Sequence, residues 1–190
     1  MAENISAMST ATAEIDPAVP HVPRVLDYLL GGEANFESDR AAAAYAFANW
    51  PGEPGGLEGV RVDVREARGA LRRIVTYMAE DCGIRQFLDI ATGLPTVDNT
   101  HLTARAVAPG SRTVYVDNDP LVVAYSRQLL AAENGADGEQ TVFLEGDFRD
   151  PQDVIGRASA TLNFTEPVGI VLFGDAALPR GLHRPAPPVR

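Results

Sequence analysis

The chain has 190 residues, 45% hydrophobic and 22% charged, enough for one domain with a core of its own. A net charge of -10 argues against nucleic acid as a partner, because phosphate binding needs a basic face, and no apolar run approaches the ~20 residues of a membrane span. All 16 basic residues are arginine, which removes Schiff-base and phosphate-loop lysine chemistry. The single cysteine, Cys82, makes neither an intramolecular disulfide nor a zinc site, and we read it as core filler; no metal site is expected. The start, MAENISAMSTATAEID, has neither a basic opening nor an apolar stretch of its own, so it is not a secretory signal. We expect a cytoplasmic protein whose residues 1–20 form a disordered tail.

Residues 21–83 read as an N-terminal helical segment. Arg24 to Leu30 predicts a short helix stopped by Gly31-Gly32. Ser38 or Asp39 is placed to cap the next helix, which runs through the alanines to Trp50 and stops at Pro51. Two prolines and four glycines make residues 51–59 a loop. Val60, Val64, Ala67, Leu71, Ile74, Val75 and Met78 then fall at helical spacing, up to a stop at Gly83.

From residue 84 the pattern changes. Gln86 to Ile90 predicts a strand, Thr96 to Ala108 a helix, and Thr113 to Val116 a second strand running into Asp117. Asp119-Pro120 opens a helix reaching Asn134-Gly135, with the cap and the proline in their favoured positions. Thr141 to Leu144 predicts a third strand, Asp150-Pro151 a short helix, and Val168 to Phe173 a fourth strand. Alternation of this kind is an α/β signature, a mostly parallel sheet between helical layers.

Ligands of such sheets sit beyond the C-terminal strand ends. Strand one delivers Asp89 and the small residues Ala91-Thr92-Gly93, strand two Asp117-Asn118-Asp119, strand three Gly146-Asp147-Phe148, and strand four Gly174-Asp175. Small residues admit a ligand close to the backbone. Asp117, 24 residues after Gly93, is placed to take both hydroxyls of a ribose, and Asp147 with Phe148 to take an exocyclic amine and stack on a base. Together these fit an adenosine. The loop D-I-A-T-G-L-P-T lacks the G-x-G-x-x-G of a pyrophosphate site, and no G-x-x-x-x-G-K-[ST] loop is present. Adenosine without phosphates points to S-adenosylmethionine, with an acid near strand one facing its cationic portion. For any one of these acids, capping the following helix is an equal reading.

Three segments carry a family resemblance: RVLDYLLGGEANFESDR (Arg24–Arg40), GIRQFLDIATGLPT (Gly83–Thr96) with VYVDNDPLVVAYSRQLL (Val114–Leu130), and GDFRDP (Gly146–Pro151). On these the chain resembles the actinobacterial S-adenosyl methyltransferase family once listed as a domain of unknown function. The resemblance implies a Rossmann-like class I methyltransferase three-layer sandwich. It also implies S-adenosylmethionine as cofactor, and our leading reading is methyl transfer to a small-molecule acceptor. It marks Asp89, Ala91, Gly93, Leu94, Asp117, Asn118, Asp147 and Phe148 as cofactor contacts. Tyr28, Gly31, Gly32, Asn35 and Phe36 become a lid or substrate segment. The chain departs from the family pattern in carrying Ala91 where D-I-G-T-G is usual, and Glu33-Ala34 where a lysine and an aspartate are usual.

The larger departure is at the end. About seven strands complete this fold and the sequence supplies four, so residues 84–175 are expected to form an incomplete core. The remaining GDAALPRGLHRPAPPVR has no apolar periodicity; residues 1–175 carry -13 and the tail +3. We read the end as a frameshift or truncation product, with residues 176–190 disordered. In strand order 3-2-1-4-5 strand four becomes a bare edge, open to pairing with a second copy. A non-catalytic cofactor-binding or interaction module is the alternative function, and an NAD(P)-dependent oxidoreductase a weaker one. No side chain is identified as catalytic, since His21, His101 and His183 have no partner visible in the sequence.

Overall fold

The computed structural model describes residues 16–48, 55–95, 99–133 and 140–173. Helices α1 (Val22–Leu30), α2 (Glu37–Phe47) and α3 (Gly56–Glu80) precede strand β1 (Gln86–Ile90). Then come α4 (Thr100–Val107), β2 (Arg112–Asp117), α5 (Pro120–Glu133), β3 (Thr141–Glu145), α6 (Pro151–Ala158) and β4 (Gly169–Leu172). The strands form one sheet in the order β3-β2-β1-β4, every pair parallel. This is the predicted α/β architecture, with β4 at the edge. The expected disordered stretches 1–15 and 176–190, the Gly174-Asp175 strand end, and Thr96 lie outside the described residues.

Alternation along the strands sorts the core onto two sheet faces. Phe87, Tyr115, Phe143 and Val171 meet α3, α4 and α5; Leu88, Val114 and Val116 meet Val154 and Ala158 of α6. On the α6 side of β4, Ile170 and Leu172 are each 65% exposed. No helix among the described residues is long and apolar enough to cross a membrane.

Helix α3 joins the N-terminal helices to the sheet. Val60 and Val64 pack with Val25, Leu29, Leu30, Ala43 and Phe47. Leu71, Val75 and Ala79, further along the same helix, pack with Phe87, Ala104, Ala108 and Val171. Two departures from the sequence reading concern this helix. It begins at Gly56, inside the expected loop, because nothing in the Gly55-Gly56-Leu57 stretch blocks a first turn. Ile74 is exposed, since neighbouring Val75 takes the inward position. Cys82 is also exposed and is not core filler, because α3 has ended at Glu80 and the residue sits in the turn that leads into Gly83, φ 68°.

Asp39, wholly buried, ties the N-terminal layer together. Its Oδ1 accepts from His21 N and its Oδ2 from Phe36 N, both at 2.8 Å. The second bond is the backward half of a capping arrangement, so Asp39 serves from inside the first turn of α2 rather than as its N-cap. The other expected cap, Ser38, donates to Pro17 O. The Nε of Arg24, 1% exposed, lies 2.9 Å from Asp39 Oδ2 as an ion pair. Arg24 also donates to Val19 O and Asp16 O, so residues 16–20, which the sequence assigns to a tail, are anchored here.

Removing one partner of a buried ion pair costs about 3–5 kcal/mol. Asp39→Ala is therefore expected to lower unfolding free energy by about that amount in urea denaturation, while Glu37→Ala, at an exposed pair, changes it by under about 0.5 kcal/mol. A loss below about 1 kcal/mol for Asp39→Ala would show that the pair does not organise this layer.

Candidate functional site

Because β1, β2 and β3 run parallel and in register, their C-terminal ends lie side by side. The loops that follow are laced to one another. Ala91 N donates to Val116 O at 2.8 Å, and Gly146 N to Asp117 O at 3.0 Å. The Asp117 carboxylate accepts from Gly93 N at 2.9 Å and from Asp119 N at 3.0 Å. Two residues assigned from sequence to one ligand, Gly93 and Asp117, are thus in direct contact across two strands. Asn118 hydrogen-bonds Asp147, which brings the loops after β2 and β3 together as well.

The three carboxylates differ electrostatically. Asp89 is 5% exposed and accepts from Thr100 Oγ1 at 2.6 Å. Burial pushes it up to about 6, against the opposing pull of the Thr100 bond and the Arg68 charge. Asp117 is also raised, by burial above all. Asp147 is held down to about 2, chiefly by its hydrogen bonds from the Arg149 side chain. Beside it Phe148 presents a ring that is 57% exposed.

The loop after β1 turns at Ala91, whose φ of 54° is left-handed. This costs an L-residue about 1 kcal/mol, so the Ala91 methyl is tolerated with strain. Gly93, φ 64°, has nothing within 4 Å of where a Cβ would sit. Leu94, in contrast, is 3% exposed and wedged with Tyr115, Val122, Val123 and Phe143. Its side chain anchors the loop.

The N-terminal segment reaches this edge at two points. Ala34 packs against the cluster around Leu94. His21 Nε2 lies 3.1 Å from Asp119 Oδ2, so His21 does have a partner, one that sequence separation concealed. Asp119 also caps α5 through Leu121 N and Val122 N, and Asp150 caps α6 through Asp153 N, as predicted. His101 is buried against Tyr115, whose hydroxyl lies 2.8 Å from Nδ1.

Tyr28, Gly31, Gly32 and Asn35 line one cavity of about 410 Å³, completed by Glu33, Arg40 and Arg61. Gly32 is required there, because a Cβ would stand 2.0 Å from Asp27 Oδ1. Asp27 is itself 1% exposed and accepts from Asn35 Nδ2 at 2.8 Å. Phe36 stands apart from the cavity, its ring 4.9 Å from the Arg24 guanidinium carbon. Sequence reasoning missed Asp27 and Arg61, and saw Asp39 only as a helix cap; the only signal for Asp27 and Arg61 was charge inside an otherwise apolar helical pattern.

An adenosine-bearing cofactor fits this donor set. Asp117 and Asp147 are acceptors at adjacent strand ends, Phe148 offers an exposed face, and the space beside Gly93 is open. Among the described residues no cluster of His, Cys, Asp and Glu is placed to hold a metal ion.

A carboxyl raised on folding disfavours the folded state once it ionises. Between the unfolded value near 4 and the folded value of about 6, the native chain binds more protons, so stability falls as pH rises. Relative to Asp89→Asn, the unaltered chain is expected to lose about 2 kcal/mol between pH 4 and pH 7. Denaturation of both proteins across that range checks this, and parallel curves would contradict it.

The profile of the S-adenosyl methyltransferase family matches residues 8–176. A candidate methyltransferase from Thermobifida fusca, solved by crystallography, is 40% identical with a TM-score of 0.66; the match covers 80% of this chain and 54% of that one. A DUF574 family protein from Streptomyces avermitilis, also a crystal structure, is 38% identical with a TM-score of 0.68, over 82% of this chain and 56% of that one. The chain therefore spans little more than half the length of these solved structures. No functionally curated protein matches it. A family profile covering most of the sequence, together with a shared fold at this identity, settles kinship: the chain belongs to the S-adenosyl methyltransferase family.

Proposed function

We propose that the chain binds S-adenosylmethionine across the C-terminal edge of β1, β2 and β3 and takes part in methyl transfer to a small-molecule acceptor. The observation that carries this reading is the row of three acids, Asp89, Asp117 and Asp147, at the C-terminal ends of adjacent parallel strands, with the open turn at Gly93 between the first two. When bound, the cofactor supplies a methyl group on a sulfonium, which departs with the sulfur's electron pair as a nucleophile takes the methyl.

The chain's own residues bind and orient. Asp117 accepts the ribose hydroxyls, as a carboxylate already aligned by Gly93 N and Asp119 N. Asp147 accepts from the exocyclic amine, and its low pKa keeps it ionised at every physiological pH. Phe148 covers a face of the base. Asp89, charged above about pH 6, offers its negative field to the cationic end. Positioning of this kind supplies much of the rate of a displacement, and a neutral basic nucleophile needs no general base.

The exposed Ile170 and Leu172 on edge strand β4 support pairing of that edge with a second copy.

Calorimetric titration tests the cofactor claim. S-Adenosylmethionine is expected to bind saturably and NADH not at all, and Asp117→Ala to weaken binding by at least about tenfold, the worth of one charge-assisted hydrogen bond. Equal binding by Asp117→Ala, or no binding by the folded chain, would refute the assignment.

A further inference from the structure

We propose that the cavity beside Tyr28 is a carboxylate-binding site and that Arg61 is its recognition residue. The methyltransferase reading enters only in naming the ligand.

Arg61 lines the cavity from α3, its guanidinium carbon 4.5 Å over the Tyr28 ring. The side chain is 23% exposed, and its Nε is buried without a hydrogen-bond partner. The carboxylate of Glu58, one turn earlier, lies 3.9 Å from Nη1, beyond hydrogen-bond reach, and is 70% exposed to screening solvent. Arg40, the other cation of the cavity, is in contrast committed. Its Nε and Nη2 donate to Glu37 and its Nη1 to Asn35 Oδ1. A mostly buried guanidinium with unused donors is costly unless something supplies acceptors. Its planar fork fits a carboxylate through two parallel hydrogen bonds.

The surroundings favour the same chemistry. Arg65 and Arg68 follow Arg61 at i+4 and i+7, on one face of α3. Arg65 Nη2 would lie 3.8 Å from a Cβ on Gly31, and the Arg68 charge acts on Asp89. Positive charge thus runs from the cavity toward the end of β1. Exposed Glu33 is the one acid lining the cavity, which makes a dianionic phosphate a poorer fit than a single carboxylate. Two sources carry that group: the amino-acid end of the cofactor, and an acidic methyl acceptor. Ala34, packed on the Leu94 cluster, sets this wall beside the loop after β1, where either could reach.

The test is an NMR titration of the ¹⁵N-labelled full chain with benzoate, with benzyl alcohol as the neutral control. The Arg61 Nε–H resonance, assigned by its disappearance in Arg61→Lys, is expected to shift saturably with benzoate and not with benzyl alcohol. Benzoate affinity in Arg61→Lys is expected to fall at least about tenfold, because an ammonium lacks the fork. No shift, or an equal shift with benzyl alcohol, overturns the proposal and leaves Arg61 as a cation stacked on Tyr28. This titration of the unaltered chain decides even where the variant fails to fold. Repeating it on protein saturated with S-adenosylhomocysteine or with methylthioadenosine, which lacks the amino-acid end, separates the sources. Loss of the response only with S-adenosylhomocysteine assigns the site to the cofactor's carboxylate; a response persisting with both assigns it to the acceptor. A benzoate response in a chain that binds neither nucleoside would keep this site while sinking the methyltransferase reading.

Discussion

Parallel register is the constraint on which the rest of this structure depends. With Phe87 opposite Thr113 and Thr113 opposite Thr141, the three strands end together, and Asp89, Asp117 and the turn to Asp147 emerge at one edge. A slip of one residue would turn Phe87, Tyr115 and Phe143 away from α3, α4 and α5, exposing the aromatic core and burying the opposite set. The apolar alternation that fixes the core therefore also fixes where the acids converge. Fold and site share one determinant, and hydrogen bonds between the loops then hold the turn to Asp147 against Asp117 and Asn118.

Buried charge is handled in two ways in this molecule. In the N-terminal layer Asp39 is neutralised by Arg24 and held by two backbone amides, while Asp27 accepts from the Asn35 amide with Gly32 packed against it. Those pairs fix the crossing of α1 and α2 and present a fixed wall to the cavity. At the sheet edge Asp147 is paired with Arg149, whereas Asp89 and Asp117 are satisfied by a hydroxyl and backbone amides. Asp89 has Thr100, and Asp117 has Gly93 N and Asp119 N. Such partners orient a carboxylate without cancelling its charge, so burial raises both pKa values and the negative field remains for a cationic ligand. The strained φ of Ala91 belongs to the same edge. Backbone strain concentrates where a loop must present itself to a ligand rather than to the core.

What the sequence discloses follows from interaction range. Strand β1 matches its predicted bounds of Gln86 to Ile90, and the caps Asp119 and Asp150 act as predicted, because alternation and capping are decided within a few residues. The start of α3 at Gly56 escapes prediction because the glycines that suggest a loop are overridden by Leu57, Val60 and Val64 packing on the N-terminal helices. Ile74 is exposed because the helix face is chosen by tertiary contacts, and Cys82 because it lies past the end of α3. Among site residues, those at strand ends are legible by position. His21 with Asp119, and Arg61 over Tyr28, are not, since each pair joins elements far apart in the chain and neither residue type carries a local pattern.

The most direct measurement is a crystal structure of the 190-residue chain grown with S-adenosylhomocysteine. The ribose hydroxyls should lie within hydrogen-bond distance of Asp117, the adenine amine beside Asp147, and the amino-acid end near Ala91 to Gly93. Ligand seated instead at the opposite sheet end, in the cavity of about 530 Å³ lined by Arg112, Asn163 and Thr165, would contradict the claim that the parallel strand ends form the cofactor site.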